Sequence, residues 1–465
     1  MQTIHYPVKG RKLNDVITQQ TLDQLLAQWD NWQQAGGSVG QLNLHPCWGT
    51  TSVLEKGYQG ESISRLTGFM QTAMLLYDTF GTPRWRVLAN AMASQILYLQ
   101  DESGAFIHST AEFEPSFDTA GCPIHFFTPI LGLCDYFQWP HADESIKALI
   151  PTAVERHYAY MTANIWRIGC AAHRPLPFPG WCGVTNQDLV ATAAIATASR
   201  LFGHPEWYER HGRPVLDRCL SDENYYKVIG LFERGDGHNF AERTTYYNII
   251  LRMLKRLYDQ LGEDRLLEAF DNVVAHLFDA AFVGADGLTY LARGAITDPV
   301  DKTRVLGWEQ GTVAFSTYCE TLSFMYEYLT RHPSAEKQAV VDRLEDTLAA
   351  YVLVDGTLPA GLFGKNPLFA VAVMPDHGPW IRFVLDRLGD AAQDPRPVQP
   401  LVLHRTHKNF TWKQKGRLWA IEKDGVRCFG AFSRYPAGIV QGPEGEPMLG
   451  AFADLELPDV VEIID

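Results

Sequence analysis

Apolar residues recur about every 3.6 residues along most of this chain, the spacing that places them on one face of an α-helix. Several of these segments are joined by short stretches with glycine and proline, such as 80 to 85 and 202 to 207, and so form consecutive pairs. Paired helices fold into a solenoid of hairpins or into a closed α/α toroid. Because no sequence repeat of fixed period is visible, we predict the toroid. The predicted helices are 13 to 35, 62 to 80, 83 to 100, 126 to 138, 143 to 167, 186 to 203, 242 to 261, 263 to 282, 310 to 331 and 334 to 353.

The pattern changes after the proline-rich stretch at 394 to 400. From there β-branched and aromatic residues are enriched, and a Lys-Asp-Gly turn at 423 to 425 adds to the signature of antiparallel strands. We therefore predict a mainly α fold in two parts. Residues 1–395 form the α/α-toroid catalytic domain, as an incomplete ring or a six-hairpin barrel. Residues 396–465 form a β-strand region, which is a reduced or partial β-sandwich because a full one takes about 100 residues.

The net charge of −14 argues against a nucleic acid or an anionic membrane as partner, because either would be repelled over most of the surface. A basic segment at 403 to 417 is the exception, and placed over a cavity it would attract an acidic sugar. The chain has no run of eighteen apolar residues, its first fifteen residues lack the apolar core of a signal peptide, and its eight cysteines are spaced singly. Reduced thiols favour the cytoplasm, whereas a periplasmic or secreted location follows if a leader has been removed.

Residues 235 to 251 combine a turn, an acid and two tyrosines. Asp236 and Gly237 form a strong turn signal, and Glu242 follows just before an apolar helix. Tyr246 and Tyr247 lie in the first turn of that helix, so one of them points away from its buried face. This arrangement presents a phenol to a cavity, and burial of both rings as packing residues is the alternative.

Residues 180 to 203 display two amides at a helix start. Thr185 and Asp188 have the spacing of a capping box, which places Asn186 and Gln187 in the first helical turn. Together with the positive end of the helix, the two amides can hold a carboxylate or carbonyl oxygen. The alternative is that Asn186 itself caps the helix and Gln187 is solvated.

These two segments together resemble the heparinase II/III-like polysaccharide lyases, a group that includes heparinase-type and oligoalginate lyases. The family has an asparagine at the start of an inner helix and, farther along, a segment D-G-x-x-x-E-x-x-x-x-Y-H/N that contains the catalytic tyrosine. Asn186 precedes Tyr247 by 61 positions (247 − 186) in this chain. The residues that follow the family segment, with one extra residue before the acid, are Asp236, Gly237, Glu242, Tyr247 and Asn248.

The resemblance implies β-elimination on an acidic, uronic-acid-containing oligo- or polysaccharide, without a cofactor. Asn186, assisted by Gln187, would neutralise the uronate carboxylate and stabilise the charge that develops on it. Tyr247, with Tyr246 as the alternative, would act as base or acid. Family members often have histidine directly after the asparagine, and this chain has Gln187 instead.

Further site residues come from neighbouring positions. Arg243 and His238 are the candidates to support an ionised phenol, whose unperturbed pKa is about 10. The resemblance also implies that a histidine of the β region reaches the toroid mouth as a base or carboxylate partner. His404 and His407 are the candidates for that role, against a solvated strand histidine.

Long loops between the predicted helices contain aromatic residues that can stack on sugar rings, and loops of such length are most often functional. The candidates for substrate binding in these loops are Trp48, Trp181, Trp308 and the adjacent Glu309, although packing within the loop is the alternative for each tryptophan.

Two other classes of function remain open. A toroidal glycoside hydrolase needs two carboxylic acids in the cavity, and a helical binding scaffold needs none. No nucleotide-binding or serine-hydrolase motif occurs, and no H-x-x-x-H or Cys/His cluster indicates a preformed zinc site. The acids available to a hydrolase are Asp118, Asp188, Asp236, Glu242 and Glu309.

Overall fold

The computed structural model describes most of the helical body and the backbone of the C-terminal strands. The described residues are 2–5, 7–32, 63–106, 108–110, 114–118, 123–167, 170–171, 183–235, 238–311, 313–353, 356–358, 361–362, 378–398, 403–407, 410–415, 418–423, 426–431 and 439–441.

Helices dominate this part of the chain, and every predicted helical segment coincides with at least one of them. The α-helices are α1 (Leu13–Val16), α2 (Gln19–Trp32), α3 (Ile63–Phe80), α4 (Pro83–Tyr98), α5 (Pro123–Gln138), α6 (Glu144–Lys147), α7 (Ile150–Asn164), α8 (Thr185–Phe202), α9 (Pro205–Trp207), α10 (Arg213–Cys219), α11 (Thr244–Leu261), α12 (Asp264–Asp279), α13 (Phe315–Arg331), α14 (Ala335–Tyr351) and α15 (Gly378–Leu388). A π-helical turn at Tyr208–Gly212 joins α9 to α10, and 3-10 turns occupy Lys227–Ile229 and Gly389–Ala391.

The structure departs from the predicted helices in three places, and two of these departures have local causes. The segment predicted at 143 to 167 is divided into α6 and α7, because Pro151 lies in the first turn of α7, where its missing N–H is tolerated. Helices α9 and α10 were not predicted, since they are short and a π-helical turn interrupts their periodicity. Helix α15 was not predicted either, although its 11 residues have an apolar face.

Six helices form a closed ring. Helix α3 packs against α5, α5 against α8, α8 against α11, α11 against α13, α13 against α15, and α15 returns to α3. Helices α2, α4, α7, α10, α12 and α14 alternate with the ring helices along the chain and pack outside them. The mainly α toroid predicted from the sequence is therefore confirmed, as a closed ring of six hairpins.

The first turns of the ring helices meet at one end of the toroid. Ser64 of α3 hydrogen-bonds to His125 of α5, with 3.1 Å between the hydroxyl oxygen and Nδ1. The Thr317 hydroxyl of α13 donates to the carbonyl oxygen of Thr245 in α11 at 2.9 Å. This end, here called the mouth, is where the predicted amides and tyrosines lie.

Helix α8 is the most enclosed member of the ring. Residues 185 to 199 are all buried, and many of them are alanine or threonine, so neighbouring helices approach closely. Burial of large side chains on the adjacent helices, such as Leu254 of α11 and Phe127 of α5, contributes about 1.5–3 kcal/mol each to stability. The ring is therefore a packed scaffold, and polar side chains buried in α8 need a specific explanation.

Strands occupy the mouth and the C-terminal region. Short antiparallel pairs form between neighbouring strands in the helical body, and β6, β7 and β8 form a three-stranded sheet. The strands are β1 (Gln2–His5), β2 (His108–Thr110), β3 (Glu114–Asp118), β4 (Trp166–Arg167), β5 (Cys170–Ala171), β6 (Tyr225–Tyr226), β7 (Leu231–Gly235), β8 (His238–Ala241), β9 (Ala281–Val283), β10 (Thr289–Leu291), β11 (Gly294–Thr297), β12 (Val305–Glu309), β13 (Val313–Ala314), β14 (Gly361–Leu362), β15 (Leu403–His407), β16 (Phe410–Lys415), β17 (Leu418–Lys423), β18 (Val426–Ala431) and β19 (Ile439–Gln441).

The C-terminal strands β15 to β19 form the antiparallel part of a six-stranded sheet, in agreement with the predicted β region. Strand β1 adds to the edge of this sheet in parallel to β15. The sheet thus uses strands from both ends of the chain. The division at residue 395 stays a prediction. None of the described helices has the length and apolar character that a membrane span requires.

Candidate active site

Strand β7 connects the first turns of α8 and α11. The Thr185 hydroxyl donates to the Glu233 carbonyl oxygen at 2.7 Å, and the Glu242 backbone N–H donates to the Phe232 carbonyl oxygen at 2.7 Å. The predicted capping box is therefore wrong. The residue that precedes the helix is Val184, whose apolar side chain provides no cap. The Thr185 hydroxyl, which was predicted to cap the helix, bonds to β7 instead.

A glycine makes this close approach possible. Gly235 has a φ of +80°, and a Cβ atom built on it would lie 1.8 Å from the carbonyl oxygen of Gly183. Any side chain would therefore force the start of α8 away from the end of β7. The glycine before the predicted turn sets the distance between the two segments that the sequence singled out.

Asn186, Glu242 and Arg234 form a buried polar cluster at the mouth. The Asn186 amide nitrogen donates to Glu242 Oε2 at 2.7 Å, and Arg234 Nη1 donates to Glu242 Oε1 at 3.1 Å. The Arg243 backbone N–H donates to the same Oε1 at 2.9 Å. Burial raises the pKa of the Glu242 carboxyl, while the Arg234 charge and these hydrogen bonds oppose that rise. The acid therefore holds an amide and a guanidinium in fixed positions.

The other residues of the first turn of α8 are also buried. Gln187 lies within the turn, as predicted, and is not solvated. Asp188 forms an ion pair with Arg218 of α10. The alternative that Asn186 caps the helix is wrong, because its side chain bonds to Glu242 and it lies inside the helix.

Tyr247 occupies a different environment from the one expected of a phenol at a cavity. Its side chain is 1% exposed, its hydroxyl accepts a hydrogen bond from the Phe232 N–H at 3.2 Å, and its ring contacts His276 of the outer helix α12. Burial raises the pKa of this phenol strongly. The side chain therefore packs between α11 and the outer layer, and its catalytic role stays a prediction.

Tyr246 is the more accessible of the two tyrosines. It is half-buried, and the Arg234 guanidinium carbon lies 4.7 Å from its ring centroid. Because Arg234 also contacts Glu242, the Tyr246 ring belongs to the same cluster as Asn186. Tyr246, the alternative phenol of the sequence prediction, is thus linked to the Asn186 amide through Arg234 and Glu242.

Arg243 and Glu309, both predicted to bind substrate, line one cavity of about 300 Å³ at the hairpin of β11 and β12. Lys302 lines the same cavity and forms an ion pair with Glu233 at 2.7 Å. Glu309 is exposed and pairs with Arg293 at 3.2 Å. The cavity therefore has cations and carboxylates in close balance.

Trp308 lies in a second cavity, of about 440 Å³, which it shares with His276. The two rings have centroids 5.0 Å apart. Trp308 and Glu309 are neighbours on β12, and alternation along the strand explains why they line different cavities.

Several predicted positions cannot be compared with the structure. Trp48, Trp181 and the Asp236–Gly237 turn lie outside the described residues. For His238 in β8 and His404 in β15 only the backbone is described, and His404 pairs with Lys413 across the sheet.

Sequence reasoning missed the arginines that pair with two acids of this region, Arg218 with Asp188 and Arg234 with Glu242. Arg234 lies two positions before Asp236 of the predicted turn, so its position close to that motif was an available signal. Arg218 is more than thirty positions from Thr185 and carries no local signal (218 − 185 = 33). The pair of Ser64 and His125 at the mouth was also missed, because it joins two different helices.

Comparison with known proteins supports the fold and leaves the family open. No protein-family model matches the chain, and no curated protein is similar to it in sequence. A sugar epimerase from a ruminal bacterium has a similar structure, with a TM-score of 0.58 at 13% identity over 81% of this chain and 99% of that one.

Two further solved structures represent other chemistries. A polysaccharide lyase has a TM-score of 0.50 at 12% identity, over 81% of this chain and 97% of the other. The unsaturated glucuronyl hydrolase from Bacillus sp. GL1 has a TM-score of 0.50 at 14% identity, over 80% and 97%. At these identities the likeness shows the toroid fold, and the heparinase II/III-like family is not established.

Proposed function

We propose that the protein is a carbohydrate-acting lyase that cleaves a uronic-acid-containing glycan by β-elimination. The observation that carries this proposal is the buried cluster at the mouth, in which Glu242 fixes the amide of Asn186 and the guanidinium of Arg234 beside the phenol of Tyr246. The same fold occurs in a polysaccharide lyase, which is consistent with the proposal.

Neutralisation of the substrate carboxylate is the first requirement. The C5 proton of a uronate is too weakly acidic to remove while the neighbouring carboxylate has its full charge. The second amide N–H of Asn186 has no hydrogen-bond partner among the described residues, so it can donate to that carboxylate. Oriented donors of this kind stabilise the enolate-like charge as it develops.

Proton transfer is the second requirement. A cation close to a phenol favours its ionised form, and the Arg234 guanidinium lies over the Tyr246 ring. The Tyr246 oxygen would take the C5 proton, the double bond would form between C4 and C5, and the glycosidic oxygen would leave. The same hydroxyl can then return the proton to the leaving oxygen.

Ultraviolet absorbance tests this proposal on a panel of uronic-acid glycans. Elimination creates a double bond conjugated with the carboxylate, whereas hydrolysis of the same bond does not. We expect absorbance to rise with at least one glycan of the panel. Cleavage that yields only saturated reducing ends would reject the lyase.

A sugar epimerase or isomerase is the second candidate, and His125 is the observation that favours it. This half-buried histidine lies at the mouth against Ser64, and an imidazole is a suitable base for a proton next to a sugar carbonyl. The structural likeness to a sugar epimerase points the same way. Exchange of solvent deuterium into a free sugar, without a new double bond, would identify this reaction.

A hydrolase has less support. The three acids of the hydrolase hypothesis whose side chains are described each pair with an arginine: Asp188 with Arg218, Glu242 with Arg234, and Glu309 with Arg293. Each of these carboxylates is therefore engaged in an ion pair within the fold, whereas a hydrolase needs two carboxyl groups directed at the substrate as acid and base.

A further inference from the structure

The cavity beside Trp308 lies against the outer layer of the toroid. One wall is a stripe of α12 in which Asn272, His276 and Asp279 follow one another at helical spacing. The opposite wall is β12, with Val305 and Trp308. The third side is the backbone at 228 to 230, which approaches α12 closely because a Cβ on Gly230 would lie 2.0 Å from the Asn272 carbonyl oxygen. The cavity therefore has three fixed walls.

An aromatic platform is combined here with polar groups. Trp308 is half-buried, and its inner side contacts the imidazole of His276. Val228, on the rim, is 87% exposed, so the entrance is apolar. An aromatic ring next to an amide and a carboxylate is suited to a sugar, whose C–H groups cover the ring while its hydroxyls bond to the polar side chains.

The carboxylate of Asp279 gives this cavity a negative charge. Asp279 is exposed, and its carboxylate forms no hydrogen bond or ion pair with any other residue that the structure describes. As the last residue of α12, it lies at the negative end of the helix dipole, where a carboxylate is unfavourable. The local potential is therefore negative. The Asp279 carboxylate would repel a uronate and would accept hydrogen bonds from the hydroxyl groups of a neutral sugar.

We infer that this cavity is a second saccharide-binding site, and that it takes a neutral sugar residue of the glycan or of its carbohydrate surroundings. It differs from the candidate active site in its residues, and its carboxylate, Asp279, has no cation as partner among the described residues. His276 lies between the two regions, since its ring contacts both Trp308 and the buried Tyr247. The inference rests on the proposed function only for the choice of saccharides as the ligand class.

Binding measurements on the Asn186→Ala variant test the inference without turnover. Calorimetry and intrinsic tryptophan fluorescence would be followed with neutral cello-, manno- and galacto-oligosaccharides and with uronate oligosaccharides. We expect at least one neutral series to bind. Trp308→Ala in this background should weaken that binding roughly tenfold, on the scale of one lost aromatic contact.

Two variants guard against a folding artefact. Trp308→Phe keeps an aromatic ring and should lose less affinity than Trp308→Ala, and Asp279→Asn should weaken the preference for neutral over acidic sugars. Matched controls are Trp166→Ala, another half-buried tryptophan, and Asp222→Asn, another exposed acid. Both controls should bind neutral sugars as the parent does.

The possible results separate this inference from the proposed function. Unchanged neutral-sugar affinity in Trp308→Ala, or tighter binding of uronates than of neutral sugars at this cavity, would overturn it. If Asn186→Ala itself abolished neutral-sugar binding, the two sites would be one and the inference would be wrong. Absence of any unsaturated product would reject only the lyase, because binding at Trp308 is measured independently.

Discussion

At the scale of single residues, the two adjacent tyrosines differ mainly in their surroundings. Tyr247 is enclosed and accepts a backbone hydrogen bond, whereas Tyr246 is half-buried under the guanidinium of Arg234. Spacing alone placed both phenols in one helical turn and could not decide between them. The difference arises because Tyr247 lies on the side of α11 that faces the outer layer, and the packing of the whole ring determines which side that is.

Substitution of each tyrosine by phenylalanine separates catalysis from packing. Tyr246→Phe should lower the turnover rate by about 10²–10⁴-fold with little change in stability, because it removes an acid–base hydroxyl and almost no volume. Tyr247→Phe should retain most of the activity and lose about 1–3 kcal/mol of stability, because the Phe232 N–H would be buried without its acceptor. Steady-state rates and denaturant unfolding of both variants provide the measurement. Loss of turnover in Tyr247→Phe alone would return the catalytic role to Tyr247.

Glu242 is expected to act as a positioning residue. Because its pKa is raised in the folded protein, it should make the free energy of unfolding depend on pH. The folded protein binds a proton at Glu242 more tightly than the unfolded chain does. Its contribution to stability is therefore present below the unfolded pKa of about 4.5 and is lost as pH rises through the folded pKa. Glu242→Gln should remove this slope from a series of unfolding free energies against pH. An identical slope in the variant and the parent would contradict the assignment.

At the scale of elements, the meeting of β7 with α8 defines the site. Gly235→Ala should destabilise the protein by more than 2 kcal/mol, an order-of-magnitude value for a strained backbone plus a clash with Gly183, and should also lower activity. Gly262→Ala is the matched control, since Gly262 also has a positive φ of +67° but nothing within 4 Å of the added Cβ. It should cost only about 1 kcal/mol. Equal losses in the two variants would show that the close approach is not important.

Two buried histidines of the outer helices make the stability of the protein depend on pH. Burial lowers the pKa of His157 in α7 and of His276 in α12 to about 4 each, from 6.5. The neutral form of each histidine favours the folded state by roughly 3 kcal/mol above pH 6.5. This contribution to the free energy of unfolding is lost as pH falls towards 4. The unfolding temperature should therefore fall as pH is lowered from 6.5 towards 4. His157→Gln should flatten the shift, whereas replacement of the exposed His141 by glutamine should leave it unchanged.

Most helices were predictable because each buries one apolar face at a regular spacing. The failures have physical reasons at this scale. A capping box at Thr185 was a sound local prediction, but the hydroxyl bonds to β7, which only tertiary structure brings near. The two amides at the start of α8 were found from local rules, whereas the ion pairs of Arg218 with Asp188 and of Arg234 with Glu242 join residues of different elements.

At the scale of the whole molecule, closure of the ring brings distant segments together. The toroid places the first turns of its inner helices at one mouth, so that Ser64, His125 and Asn186 lie at the same end. A sequence without visible repeats predicts such a ring only by elimination. The chemistry cannot be read from the ring, because the same architecture occurs in an epimerase, a lyase and a hydrolase.

The most direct test of the central claim is the rate of ultraviolet-absorbing product formation from uronic-acid glycans by the wild-type protein and by Asn186→Ala. We expect an unsaturated product from the wild type and a rate about 10²–10³-fold lower in the variant, the scale of one lost donor to developing charge. Asn164→Ala, which removes a half-buried amide at the end of α7, is the control and should react as the wild type does. A nearly unchanged rate in Asn186→Ala, or an activity that yields only saturated products, would show that the protein does not act by β-elimination with Asn186 as the carboxylate donor.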